Sequence, residues 1–200
     1  MVIDTRKFTT PEQIRRVTDA CRHAHNVPVI PGKQEVKWIW ADSYHHVFTD
    51  DTNAFLPERL INGQFLLMCN HCTNPPCVRV CPTQATFKAE NGMVVMDPHR
   101  CIAGCPYGAR SFNFRDPQDY VEQVNPDYPM RMRGVVEKCT FCPERLAAGK
   151  LPACVEASDG AMIFGDLNDP HSPVRKALAE NFTVRRKPSL GTEPGVYYII

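Results

Sequence analysis

Apolar residues come in short bursts along this chain, so the elements they predict are short. Met1-Val2-Ile3 reads as an opening strand. Thr10-Pro11-Glu12-Gln13 carries helix-start chemistry, with Thr as N-cap, Pro in the first turn and Gln reaching back. Ile14, Val17, Cys21 and Ala24 then recur at helical spacing and put Cys21 on the buried face, where it is either a small apolar residue or something more reactive. Val36 to Trp40 reads as a strand whose alternating Trp38 and Trp40 send at least one indole inward. Tyr44-His45-His46 reads as a surface loop. Phe65 to Met68 and Met93 to Met96 are β-like runs that bracket a cysteine-dense segment, and Val135-Val136 leads into Cys139. Glu144 to Gly149 suggests a helical excursion. Ser172 begins a short helix over Pro173 to Leu178, and the apolar tail Val196 to Ile200 docks on the fold or on a partner.

Composition narrows the class. The 200 residues carry 23 basic and 22 acidic side chains, a net charge of +1, which excludes a general electrostatic grip on nucleic acid. The longest apolar runs are too short to cross a bilayer. Arg15-Arg16 is not followed by an apolar stretch, so no export leader is visible. Eighteen prolines against a usual ~5% predict a loop-rich fold. Ten cysteines in such a chain point to metal before disulfides.

The cysteine spacing names the metal. Cys69-x2-Cys72-x4-Cys77-x3-Cys81-Pro82 runs continuously and ends in Cys-Pro, the form in which three thiolates wrap one iron–sulfur cluster and the fourth reaches a neighbouring one. Zinc would favour paired knuckles separated by a longer spacer. His71, inside the run, suits a spacer or supporting donor better than a ligand. Cys139-x2-Cys142-Pro143 opens a second group completed by Cys154, and Cys-Pro-x-x-Ala recurs at Cys81 and Cys105, as a duplicated metal-binding half would show. The chain has no G-x-G-x-x-G, P-loop or G-x-S-x-G segment to supply other chemistry.

On these residues, together with His25-Asn26-Val27-Pro28, Cys105-Pro106-Tyr107-Gly108-Ala109-Arg110 and Leu190 to Tyr198, the chain resembles the four-cluster ferredoxin-type electron-transfer subunits of the dimethyl-sulfoxide-reductase family of membrane complexes. Within that family it is most similar to the iron–sulfur subunits of the membrane complex that accompanies dissimilatory sulfite reductase. The resemblance implies an α+β fold of duplicated bacterial-ferredoxin-like (βαβ) modules, loop-rich, with inserted strands and short helices. One module would comprise 1–68 with 135–165, the second 69–134, followed by a C-terminal helix and docking tail over 166–200. It also implies crosswise ligation: Cys69, Cys72 and Cys77 with Cys105 on one [4Fe–4S] cluster, and Cys139, Cys142 and Cys154 with Cys21 on a second.

Two further family sites depart from the pattern. One loses every ligand, with the start of the first helix and Ser158 in their places. The other keeps only Cys81 and Cys101, so a third cluster is either lost or deprived of about six residues after Ile102. Such a subunit has no catalytic site of its own. It would pass single electrons between a membrane-embedded quinone-interacting subunit and a redox partner, a multihaem cytochrome c or a reductase, within a hetero-oligomeric complex of anaerobic sulfur respiration such as sulfite reduction. Its expected place is peripheral, on the periplasmic side of the cytoplasmic membrane, with the cytoplasmic side as the alternative. The rival readings are a subunit of a polysulfide, nitrite or formate-type oxidoreductase, and a structural zinc-binding module.

Overall fold

The architecture below is that of a computed structural model describing residues 1–50, 53–97 and 104–200. In chain order, the strands are β1 (Val2–Asp4), β2 (Ile39–Ser43), β3 (Gln64–Met68), β4 (Thr86–Lys88), β5 (Val94–Met96), β6 (Ser111–Phe112), β7 (Val136–Glu137), β8 (Met162–Ile163), β9 (Thr183–Val184) and β10 (Tyr197–Ile199). The helices are α1 (Pro11–His25), α2 (Tyr44–Val47), α3 (Glu58–Ile61), α4 (Pro76–Arg79), α5 (Pro143–Ala147), α6 (Ala153–Glu156) and α7 (Pro173–Glu180). Among the described residues the strands form one four-stranded sheet, ordered β8-β1-β10-β9, and three two-stranded ribbons, β2-β3, β4-β5 and β6-β7.

The longest element is the one whose ends are best specified. Thr10 accepts from the Gln13 N–H while the Gln13 side chain returns to the cap, and Pro11 opens the first turn of α1. Asn26 ends the helix in the left-handed region at φ 52°. Val17, Cys21 and His25 share its buried face at i, i+4 and i+8, and α1 packs on α6. That packing carries Cys21 to Cys154, 133 positions away along the chain.

The tail docks on the fold itself. β10 runs parallel to β1 with Ile3 beside Tyr198, and Tyr198, fully buried, donates its hydroxyl to the Leu66 carbonyl of β3 at 3.0 Å. Just before β10, Glu193 and Thr192 accept from the N–H groups of Thr73 and Asn74 at 2.9 and 3.1 Å, and Gly195 N–H donates to Asn70 at 2.8 Å. A Cβ at Gly195 would stand 3.1 Å from the Asn70 and His71 carbonyls, so any larger residue would push the tail away from the cysteine loop by a few tenths of an ångström.

Two expectations shift. The strand over 36–40 forms instead at Ile39–Ser43, because the Lys37 N–H is taken by the Ser111 hydroxyl at 2.8 Å and Trp38 turns inward ahead of the strand. Trp38 is the core indole, and Trp40 is half-buried. Tyr44 to His46 belong to α2, which puts Tyr44 and Val47 into the core and leaves both histidines outside. α7 forms as expected, although the Ser172 side chain makes no capping bond. Replacing Thr10 by Ala should lower the unfolding free energy by about 1 kcal/mol in a denaturant titration of the iron-loaded protein, with an unchanged slope.

Candidate metal centre

Eight of the cysteines gather into two groups. The first lies on the loop leaving β3: Cys69 follows the strand directly, Cys72 sits in the turn beyond, Cys77 lies in α4, and Cys105 comes in from the far side of the β4-β5 ribbon. Cys69, Cys72 and Cys77 are buried and Cys105 half-buried. Burial, joined by the neighbouring thiols of Cys69, Cys105 and Cys77, pushes the Cys72 thiol up to about 12, against a hydrogen bond from Thr192. Burial likewise raises Cys77, opposed by the Arg110 guanidinium and reinforced by Cys69 and Cys105. Gly104, at φ +95°, lets Cys105 come this close, since a Cβ there would stand 3.2 Å from the Cys77 Cα and press on Val80.

The second group joins three regions. Cys139 and Cys142 flank a turn in which Phe141 and Cys142 both hold left-handed backbone, at φ 64° and 53°. Cys154 lies in α6, and Cys21 comes from α1. Burial drives the Cys139 thiol well above its ordinary value, with Cys21, Cys154, Cys69 and Cys142 adding to it. The Cys154 thiol is raised by burial, then by Cys21 and Cys142. Cys69 thus borders both groups. None of the nine described cysteines forms a disulfide.

Between the groups stands His71. Its Nδ1 accepts from the Val94 N–H at 3.0 Å and its Nε2 donates to the Cys139 carbonyl at 3.2 Å, so neither nitrogen is left over for a metal. The ring stacks on Phe141 at 3.6 Å between centroids, and burial holds its pKa well below the ordinary histidine value. Beside it, Lys138 is buried and donates to the carbonyls of Val94 and of Cys139.

His25 plays a parallel part in the second group. Its Nε2 meets Glu144 at 3.0 Å, its Nδ1 lies 3.0 Å from the Cys21 carbonyl and 3.8 Å from the Cys21 sulfur, and its ring stacks on Trp38. Burial opposes its charge, but hydrogen bonds with Cys142, Cys21 and Glu144 outweigh burial and raise its pKa. His25, Cys142 and Glu144 present ligand atoms within 4.8 Å of one another. Its place on the face of Cys21, one turn later, was a signal of this partnership. Thr192 was marked only as part of the resembling segment Leu190 to Tyr198, and Arg186 gave no signal at all.

The donor set suits a sulfur-bound cluster. Asn70, between Cys69 and Cys72, has its amide buried without a hydrogen-bond partner, and its Nδ2–H groups are donors that a cluster's acceptor sulfurs would satisfy. Cys81 is buried, with its sulfur 3.7 Å from the Thr83 hydroxyl. Cys101 and the Ile102–Ala103 link lie outside the described residues. Ser158 is buried, donating to the Val155 carbonyl and accepting from the Met162 N–H.

Residues 64–167 match a family model described as a 4Fe–4S dicluster domain. The chain belongs to the 4Fe–4S dicluster family. It is 50% identical over 148 residues to the Hdr-like menaquinol oxidoreductase iron–sulfur subunit 1 of Archaeoglobus fulgidus, covering 66% of this chain and 55% of that one. It is 41% identical over 157 residues to a tetrathionate reductase subunit of Salmonella typhimurium (74% and 52%), and 38% identical over 215 residues to the menaquinone reductase iron–sulfur cluster-binding subunit of Nitratidesulfovibrio vulgaris (90% and 81%). The chain spans about half the length of the first of these relatives. As a dicluster protein it carries two [4Fe–4S] clusters in a fold of mixed helices and strands, and no helix among the described residues is long and apolar enough to cross a membrane. Stripping the iron with a chelator should leave two nests of buried thiols with nothing to share their charge. The thermal transition, followed by circular dichroism, should move down and broaden.

Proposed function

We propose that this chain is an electron-transfer subunit, with Cys69, Cys72, Cys77 and Cys105 holding one [4Fe–4S] cluster and Cys21, Cys139, Cys142 and Cys154 the other. The observation that carries the reading is the gathering of eight thiols, seven of them buried and Cys105 half-buried, into two fours near enough for Cys69 to act on Cys139. When bound, such clusters take up and release one electron at a time with little rearrangement. The residues around them hold that geometry. The tail pins the loop of Cys72, α1 and α6 bring Cys21 to Cys154, and His71 ties the two loops together.

The duplicated-module description follows the same crosswise pattern, with 1–68 and 135–165 as one half, 69–134 as the other, and 166–200 as an added segment. A third cluster would draw on Cys81 and Cys101. The relatives named for menaquinol oxidation and menaquinone reduction support a place beside a membrane-embedded quinone-interacting subunit. From there electrons would run to or from a multihaem cytochrome c or a reductase in sulfur respiration. The chain would sit peripherally, on the periplasmic side of the membrane. The tetrathionate reductase relative favours a second reading as the iron–sulfur subunit of another respiratory reductase. Co-purification with a molybdopterin protein separates the two.

Iron and acid-labile sulfide should be assayed in anaerobically purified protein, with spectra recorded on reduction. Cys72→Ala and Cys154→Ala should each lose roughly half of the iron and one of the two paramagnetic signals. Colourless, zinc-loaded protein overturns the electron-carrier reading, and loss of the same signal in both variants overturns the division into two fours.

A further inference from the structure

Arg186 is a buried charge whose bonds within the fold do not account for it. The side chain is 4% exposed, its Nε lies 3.4 Å from the Val47 carbonyl, and its Nη1 has no hydrogen-bond partner. No ion pair among the described residues includes it. A guanidinium never gives up its proton, so an uncompensated one in the interior is costly unless a negative charge lies near.

The neighbours lead to such a charge. The guanidinium sits over the Tyr107 ring at 5.3 Å, the Tyr107 hydroxyl bonds the Thr192 hydroxyl, and Thr192 stands beside Cys72 and favours its thiolate. On another side of the same group Arg110, donating to the Thr86 hydroxyl at 3.0 Å, puts its charge near Cys77 and favours the thiolate. Two arginines therefore stand behind two of the four sulfurs. The second group is differently furnished. There the His25 ring lies 3.0 Å from the Glu144 carboxylate, and a second acidic side chain, Glu137, is buried against Trp38 and Asn113. Lys138 stands at the join, beside Cys139 and His71, and acts on both.

We propose that Arg186 is the fixed counter-charge of the cluster held by Cys69, Cys72, Cys77 and Cys105, and that with Arg110 it makes this the higher-potential cluster, where an added electron comes to rest. The proposal rests on the ligand assignment above. Reduction adds one electron from a one-electron donor and breaks no bond, so a nearby fixed cation stabilises the reduced form more than the oxidised one. Arg186 does not touch the cysteines directly. It is a positioning charge, acting through space and through the Tyr107–Thr192 relay.

The test is a redox titration of the iron-loaded protein with dithionite, followed by electron paramagnetic resonance, in wild type, Arg186→Gln, Arg186→Lys and Arg110→Gln. The signal that disappears in Cys72→Ala identifies the cluster in question. In wild type this should be the signal that appears first on reduction. Arg186→Gln should make its reduction about tenfold less favourable, 59 mV for a one-electron couple, while the other signal moves far less. Arg186→Lys should recover most of the shift. Arg110→Gln should move the same signal in the same direction, which keeps the idea testable if Arg186→Gln fails to load iron. The proposal is overturned if the Cys72 signal is the second to appear, if the neutral variants leave it in place, or if both signals move together. Retention of both signals and all the iron in Cys72→Ala refutes the ligand assignment instead, whatever the arginine variants do.

Discussion

Thiols crowded together out of water resist ionisation twice over, once through burial and once through each other, and two such crowds occupy the middle of this chain. The Cys72 and Cys139 thiols carry both penalties, each raised by burial and by at least three neighbouring sulfurs. An iron–sulfur cluster removes the conflict by taking the sulfurs as ligands. The short strands, the small helices and the many prolines make sense in that light. Most of the elements are brief, and the sites at the centre add to what their packing supplies.

What the protein does supply is closure. The parallel pair of β1 and β10 brings distant parts of the chain side by side, and the segment before β10 lies along the Asn70–Asn74 loop through three backbone hydrogen bonds. α1 closes the other side, carrying Cys21 and His25 to α5 and α6. Each group of thiols therefore depends on residues far from its own motif.

That dependence explains how much of the site was legible in the sequence. Spacing alone flagged Cys69, Cys72 and Cys77, because contiguous thiols with fixed gaps leave a local mark. The helical period around Val17 placed Cys21 on a buried face, and the structure confirms that face. The cap of α1 was visible because capping is chemistry within four residues. The strand shifted from 36–40 to Ile39–Ser43 was not, since the Ser111 hydroxyl that claims the Lys37 N–H lies 74 positions away. The same holds for Arg186, which looks in sequence like an ordinary basic residue and reaches its place beside Tyr107 and Val47 only through the fold.

His71 has one more consequence. With both ring nitrogens engaged by backbone and its face against Phe141, it behaves as a rigid spacer bolted to the Cys72 loop on one side and the Cys139–Cys142 turn on the other. The ring therefore fixes how the two cysteine loops sit against each other, a task separate from the one proposed for the arginines, which lie elsewhere.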